Sequence, residues 1–389
     1  MVFIHGIISN AARLWKASTP GSMAYQAARV SGVTAWTFDY GPESLDWVTN
    51  PAIGPAFASG LACLANASGR KVIVVAHSMG GLATQYAVAQ PDPSGGTVGS
   101  HVAEVITIGT PYQGSELLTA MHVARFGFDL SPSGIEGEAV LSACAGHTSG
   151  ICALPAVLPS QVGTDLQLHS AAIAQLPPWP ARLPVLDIAG DMGLLIGIGH
   201  LFVVHRFDVG DAAVTVGSAT AHNTTSGPVI KHCNSLKLLG AIYGNPGPCF
   251  HSHLVNDGDI ITDVLAAIRA DSTAMALLMR YSGSWYDPTQ GVELTVDSGG
   301  LGILRANGES CGKPGGQPTC VDSWHIKFSV RDGTTNLDGI VTSNIGRYMG
   351  NETGKPVVLA LTSNRDMITM NSPIGDGASL CRTANISQC

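Results

Sequence analysis

Charge is scarce in this chain: only 12% of its 389 residues are Asp, Glu, Lys or Arg, about half of the roughly 25% carried by an ordinary soluble domain. The charge that is present leans acidic, with 28 acids against 20 bases and a net charge of −8. A chain without basic excess has no electrostatic footprint for nucleic-acid phosphates, so that class of partner is excluded. Aromatic residues are few, at 6%, but a hydrophobic share of 45% excludes disorder throughout. Long apolar runs are missing as well. The longest, Met192 to Val204, is interrupted by His200 and is shorter than the about 20 residues of a membrane-spanning helix. No internal repeat or low-complexity tract is present. These absences together describe a soluble globular protein.

Cysteine, by contrast, is plentiful, with nine residues. None forms a CxxC pair and no matching histidine cluster accompanies them, so zinc is not indicated. Eight fall into neighbouring couples, Cys144/Cys152, Cys233/Cys249, Cys311/Cys320 and Cys381/Cys389, and Cys63 is left over in a helical stretch. Disulfides closing local loops are expected, and with them a secreted or extracytoplasmic setting, although spacing does not fix connectivity. No signal peptide is visible ahead of the first strand. The numbering is therefore expected to begin after a removed leader or at an expression boundary. Sequons at Asn66, Asn223, Asn351 and Asn385 matter only in a glycosylating host.

The length suits two to three domains of about 100–200 residues each. From residue 1 to about 283, short β-rich runs alternate with helical segments, the signature of βαβ units and a parallel sheet. The runs are Val2–Ile4, Thr34–Tyr40, Lys71–Ala76, Val102–Ile108 and Pro184–Ala189, with amphipathic segments such as Gly54–Ala65 and Gly80–Ala89 between them. Insertion or lid segments are expected around 112–180 and 191–208. Beyond Tyr281, Gly, Ser, Thr and Asn dominate and short alternating stretches appear, at Gly291–Val296, Ser323–Val330, Gly339–Ser343 and Val357–Thr362. Residues 284–389 therefore read as a small antiparallel β domain.

The chemistry is concentrated in the first part. Residues 71–82 run Lys-Val-Ile-Val-Val-Ala-His-Ser-Met-Gly-Gly-Leu, an apolar strand entering a helix through Ala76-His77-Ser78-Met79-Gly80-Gly81. This is a nucleophile elbow with alanine in place of the first glycine of G-x-S-x-G. Small residues are needed on both sides of the serine because the turn is tight. The turn lifts Ser78 above the sheet at a helix N-terminus, where backbone N–H groups face a developing oxyanion. Upstream, Phe3-Ile4-His5-Gly6-Ile7 places a His-Gly pair directly after a strand, where the Ile7 N–H can stand beside that of Met79 as the second oxyanion donor.

With Gly109-Thr110-Pro111, these motifs resemble the α/β-hydrolase-fold lipases and esterases of the secreted bacterial kind, and the wider group that includes lecithin–cholesterol acyltransferase-like enzymes. The resemblance covers about residues 1–270 in motif order and not the carboxy-terminal part. It implies a mostly parallel sheet with helices on both faces and a Ser–Asp–His triad in that chain order. It also implies acyl-ester hydrolysis or transfer without a redox or nucleotide cofactor, on a lipid or other acyl-ester substrate. The family usually has strands before the His-Gly strand, whereas this chain opens on it.

The acid should follow a later strand. Asp191 directly follows Val185–Gly190, but Asp211, in Gly-Asp-Ala-Ala-Val-Thr-Val-Gly-Ser-Ala, is similar to the family's Asp-x-x-Val segment and is preferred, with Asp191 as fallback. For the base, His251 and His253 compete. From His251, Leu254 and Val255 and then Ile260 and Val264 fall at the family's apolar positions, so His251 is preferred and His253 is the fallback. His77 is expected to pack beneath the elbow.

Three weaker signals remain. Asn256-Asp257-Gly258-Asp259 with Asp263 offers oxygens to calcium, but capping of the following helix is the simpler expectation and no metal site is assigned. The Met192–Val204 run could line an acyl pocket, act as a lid, or form a buried helix over the sheet. Trp285, Tyr286 and Trp324 look exposed, which suits a carboxy-terminal module that docks on a surface or polymer, against the alternative that the domain only stabilises the first. The combined expectation is a serine carboxylesterase or lipase acting through an acyl-enzyme on Ser78. The alternatives are an acyltransferase with the same triad and an inactive hydrolase-fold binding module; peptidase and thioesterase activities remain open from fold alone.

Overall fold

A computed structural model describes residues 1–93, 95–126, 157–198, 201–208, 210–225, 227–233, 236–237, 247–287, 292–297, 300–307, 321–330, 335–345, 352–362, 367–372 and 375–382. The chain divides into two compact units, Met1–Arg269 and Ala270–Cys389. Among the described residues, no helix is long and apolar enough to cross a membrane.

The first unit is built on a six-stranded sheet in the order β2-β1-β3-β4-β5-β8. Its strands are β1 (Val2–Ile4), β2 (Trp36–Phe38), β3 (Val72–His77), β4 (Val102–Ile108), β5 (Val185–Asp191) and β8 (Val229–His232). All five pairings are parallel. Strand β3, Val-Ile-Val-Val-Ala-His, is buried along its whole length, as a central parallel strand covered on both faces must be. Its side chains alternate between two cores. Val72, Val74 and Ala76 face one core, with Leu61 and Phe57 of helix Gly54–Ser68 and Leu82 of helix Met79–Val88. Ile73 and Val75 face the other, with Trp15 of helix Ala11–Trp15 and Ile260, Val264 and Ile268 of helix Gly258–Tyr281. Helices therefore cover both faces, as the parallel-sheet reading requires.

The run after β5 is not a helix. Gly193–Ile198 (β6) and Leu201–Asp208 (β7) pair antiparallel, and Leu236–Lys237 (β9) adds a parallel partner to β6. Ile196, Ile198, Val203 and Val204 suit a pleated strand, and Gly193, Gly197 and Gly199 penalise a helix interior. The buried-helix expectation for Met192–Val204 is thus corrected. In the 112–180 segment, helices Glu116–Phe126, Gln161–Asp165 and Ala171–Ala174 are described; residues 127–156 lie outside the described residues.

The second unit contains a closed barrel, β10 (Gly283–Asp287), β11 (Val292–Val296), β12 (Leu301–Asn307), β13 (Val321–Val330), β14 (Leu337–Ile345), β15 (Pro356–Leu361), β16 (Met367–Ser372) and β17 (Gly375–Arg382). Every strand runs antiparallel to the next, and β10 closes on β17 through Trp285–Arg382 and Tyr286–Cys381. An eight-stranded barrel is about wide enough for side chains to fill it. Here Trp285, Leu294, Leu304, Trp324, Ile326, Phe328 and Leu359 fill the core. Tyr281, at the end of the preceding helix, contributes its hydroxyl to Thr335 O and accepts the Leu361 N–H.

The aromatic residues expected at the surface are a correction. Trp285 and Trp324 are both 0% exposed, because period-two alternation turns them inward while their neighbours Ser284 and Tyr286, and Ser323 and His325, remain half-buried. The Trp285 Nε1–H donates to Tyr281 O at 2.7 Å. Surface docking therefore loses two of the three aromatic residues on which it was based, and Tyr286 is half-buried. The Trp324→Ala variant is expected to destabilise this unit by about 3–5 kcal/mol, the typical effect of emptying a large aromatic site. Denaturant unfolding followed by fluorescence and circular dichroism checks this, and a change below about 1 kcal/mol would contradict a packed interior.

One expected disulfide is formed, Cys233–Cys249. Cys381 is disulfide-bonded, and Cys63 is free and exposed. Cys144/Cys152, Cys311/Cys320 and Cys389 lie outside the described residues.

Candidate active site

The end of β3 and the start of helix Met79–Val88 meet at Ser78, whose φ of 56° and ψ of −131° are unusual for a residue with a side chain and mark a tight turn. The surroundings explain the small residues that follow it. A Cβ on Gly80 would sit 2.5 Å from His5 O, and one on Gly81 would lie within 2.8 Å of the Thr110 side chain. The elbow is pinned by Ser78 N–H donating to Ile108 O (2.9 Å) and by Thr110 Oγ1 donating to Ser78 O (3.2 Å).

Three sequence-expected residues converge there. Ser78 Oγ is 2.8 Å from His251 Nε2, and His251 Nδ1 is 2.7 Å from Asp211 Oδ2. Asp211 is completely buried, yet its carboxylate has partners: Oδ1 accepts the N–H groups of Ala213 (3.0 Å) and Val214 (2.8 Å) while Oδ2 faces the imidazole. The His251 N–H in turn donates to Asp211 O at 2.9 Å. Glycine is required on both sides of the carboxylate. A Cβ on Gly109, at φ +60°, would sit 2.7 Å from Asp211 Oδ2, and one on Gly190 would sit 3.0 Å from Asp211 Cβ.

The fallback residues lie elsewhere in the network. Asp191 Oδ2 pairs with His232 Nδ1 at 2.6 Å, and His253 Nδ1 donates to Gly247 O at 2.9 Å. The acidic cluster before the long helix is engaged as well. Asp257 Oδ1 accepts the N–H groups of Asp259 and Ile260, both at 3.1 Å, and Lys231 Nζ pairs with Asp257 and Asp259. Asp257 thus caps the helix. Among the described residues, no cluster of His, Cys, Asp or Glu suits a metal.

The loop after β1 crosses the elbow so closely that a Cβ on Gly6 would sit 2.6 Å from Ser78 Cβ. This brings the Ile7 and Met79 amides to the same end of the sheet, and among the described residues neither N–H has a hydrogen-bond acceptor. Two residues outside the motifs hold this loop. Tyr40 donates its hydroxyl to His5 O (2.6 Å) and its N–H to His5 Nε2 (3.0 Å), and its ring stacks on the imidazole at 4.1 Å. Asp39 Oδ1 accepts the Ala11 N–H at 3.0 Å. Nothing in the local sequence marks Tyr40 or Asp39; they act by directly following β2, the strand next to β1 in the sheet.

His77 does pack beneath the elbow. Its Nε2–H donates to His251 O at 3.0 Å and its ring lies 4.7 Å from the His251 ring, so it supports the backbone of the histidine beside Ser78. Burial, reinforced by the neighbouring His251, lowers its pKa to about 3. Between pH 6.5 and about 3, the unfolded chain binds a proton at this ring that the folded chain excludes, so stability falls as pH falls through that window. Burial lowers His5 and His222 in the same direction, so His77→Gln should remove only part of the slope. Urea midpoints at pH 7 and pH 5 provide the check: the drop should be smaller in the variant, and an equal drop would show that His77 does not contribute.

Residues 62–130 match the family model of the PGAP1-like alpha/beta domain. No curated protein sequence matches the chain significantly. Among solved structures, the chain is similar to the mature lipase BlEst2 of Bacillus licheniformis, with 24% identity, a TM-score of 0.37, and coverage of 63% of this chain and 86% of that one. It is also similar to lipase B of Aspergillus fumigatus, with 15% identity, a TM-score of 0.38, and coverage of 70% and 61%. EstA from Clostridium botulinum follows, with 13% identity, a TM-score of 0.34, and coverage of 67% and 86%. Overall superposition at this level carries little weight beside the strand order, the covered parallel sheet and the elbow between β3 and its helix. On those features the first unit has the α/β-hydrolase fold, with a segment at 62–130 similar to the PGAP1-like alpha/beta domain.

Proposed function

We propose that this protein is a serine ester hydrolase of the carboxylesterase or lipase type. The observation that carries this reading is the unbroken chain from Ser78 Oγ to His251 Nε2 (2.8 Å) and from His251 Nδ1 to Asp211 Oδ2 (2.7 Å). In this reading, Ser78 Oγ attacks the acyl carbonyl while His251 Nε2 takes its proton. The Ile7 and Met79 N–H groups receive the negative charge that develops on the carbonyl oxygen. The imidazolium then gives its proton to the departing alcohol, leaving an acyl group on Ser78. Water, deprotonated by the same imidazole, releases the acid. Asp211 fixes the tautomer of His251 and stabilises its charged form.

Described apolar side chains near Ser78, among them Leu118, Leu166 and Phe250, suit the acyl chain of the substrate. The Cys233–Cys249 disulfide supports an extracytoplasmic setting. A series of p-nitrophenyl esters of increasing chain length, run with and without a fluorophosphonate, tests the reading. Turnover that is abolished by stoichiometric labelling of Ser78 is expected. No turnover of any ester, or labelling at another serine, would overturn it.

A further inference from the structure

Ser78 opens into a cavity of about 690 Å³, inside the range of about 300–1,000 Å³ typical of small-molecule sites. Its walls differ in character. Ile7, Pro111, Leu118, Leu166, Val214 and Phe250 supply apolar surface, whereas Arg13 and Lys16 supply cations, and no carboxylate is among the described lining residues. Imidazoles aside, the charge among the described lining residues is positive, in a chain whose acids outnumber its bases 28 to 20. Among the described residues, neither Arg13 nor Lys16 is in an ion pair.

Backbone strain collects at the same place. Among the described residues, Ile8, Lys16, Ser78, His169 and Ala212 have positive φ without being glycine, and all of them except His169 line this cavity. Lys16, at φ 44° and ψ 47°, ends helix Ala11–Trp15, a position where glycine or asparagine is the usual choice. A lysine there carries a steric penalty that glycine would not. Its backbone is held in place by Thr19 N–H (2.7 Å) and Ser22 Oγ (2.9 Å), both donating to Lys16 O. Strain held by surrounding structure clusters at functional sites, and the strained Lys16 is one of the two cationic residues that line the cavity.

We propose that the site selects acyl esters whose alcohol portion carries an anionic group, a phosphate or a carboxylate, with Arg13 and Lys16 holding the anion while the apolar wall takes the acyl chain. This rests on the ester-hydrolase reading of Ser78. The guanidinium offers a planar pair of donors to either oxyanion, and the ammonium adds a mobile point charge. Both side chains are exposed, so each contributes modestly and the contribution weakens with salt.

The test uses soluble esters in two matched pairs: monobutyryl glycerol 3-phosphate against monobutyrin, and O-butyryl-3-hydroxybenzoate against its methyl ester. The quantity read is the ratio of kcat/KM, anionic over neutral. The wild type is expected to favour the anionic member by about tenfold at low salt, with the ratio contracting at about 0.5 M salt. In the double variant Arg13→Gln, Lys16→Asn the ratio should fall close to one. Asparagine accepts the left-handed backbone and glutamine suits the helix, so the fold is preserved. The reversal Arg13→Glu, Lys16→Glu should drive the ratio below one.

A wild-type ratio near one, or a ratio that survives the double variant, overturns the proposal. So does a ratio near one in solution with monobutyrin turnover that rises on anionic phosphatidylglycerol vesicles and depends on Arg13 and Lys16, because the cations would then read a lipid surface. Absence of turnover on all four esters is a different outcome, which removes the hydrolase reading itself.

Discussion

Replacing Ser78 by alanine is expected to lower kcat on a p-nitrophenyl ester by about 10⁴–10⁶-fold, the scale seen when one member of a cooperating triad is removed. Ser78→Ala removes only the hydroxyl that meets His251 Nε2 at 2.8 Å and leaves the Cβ in place. The contacts that hold the turn, to Ile108 O and from Thr110 Oγ1, involve the Ser78 backbone and remain. Thermal stability should therefore change by no more than about 1 kcal/mol. Initial rates, fluorophosphonate labelling and a melting curve on the same preparation measure all of this. Retention of more than about a hundredth of the activity with an intact fold would place the nucleophile elsewhere.

Almost as large an effect is expected at the other two positions, and neighbouring residues of the same type serve as controls. His251→Ala should lose about 10⁴-fold or more in kcat, since it removes the only imidazole that touches Ser78 Oγ among the described residues. His253, whose Nδ1–H is taken by Gly247 O, should tolerate alanine with a loss below about tenfold. Asp211→Asn should lose about 10⁴-fold without unfolding. The amide oxygen can still accept the Ala213 and Val214 N–H groups, but an NH₂ facing His251 Nδ1 turns the imidazole into the wrong tautomer. Asp191→Asn, which disturbs only the pairing with His232, should keep most of the activity. Steady-state kinetics of the four variants decide the matter. Equal losses at His251 and His253, or survival of Asp211→Asn, would sink the assignment.

Much of this arrangement is legible in the chain because it is local. The elbow is one strand, one small-residue turn and one helix, all within residues 71–90, and no distant contact is needed to recognise it. The parallel sheet is legible for a similar reason. A strand covered on both faces has no polar side, and Val72–His77 shows none until its last residue. The register of the long helix after His251 follows from Leu254, Ile260 and Val264, which do reach the core beside the sheet.

What was illegible depends on residues far apart in sequence. Asp191 and Asp211 both follow β-rich runs, and only the antiparallel β6–β7 insertion between them carries the second carboxylate to His251 and leaves the first with His232. Trp285 and Trp324 sit in polar, glycine-rich stretches that read as surface. Barrel closure turns them inward, because alternation alone does not say which face is the inside. Tyr40, Asp39, Arg13 and Lys16 carry no motif at all. Sequence order determined the candidate nucleophile, the sheet and the candidate partners. Only the tertiary structure decided which carboxylate meets which imidazole and which cations line the cavity, because those choices depend on contacts between segments that the chain brings together only on folding.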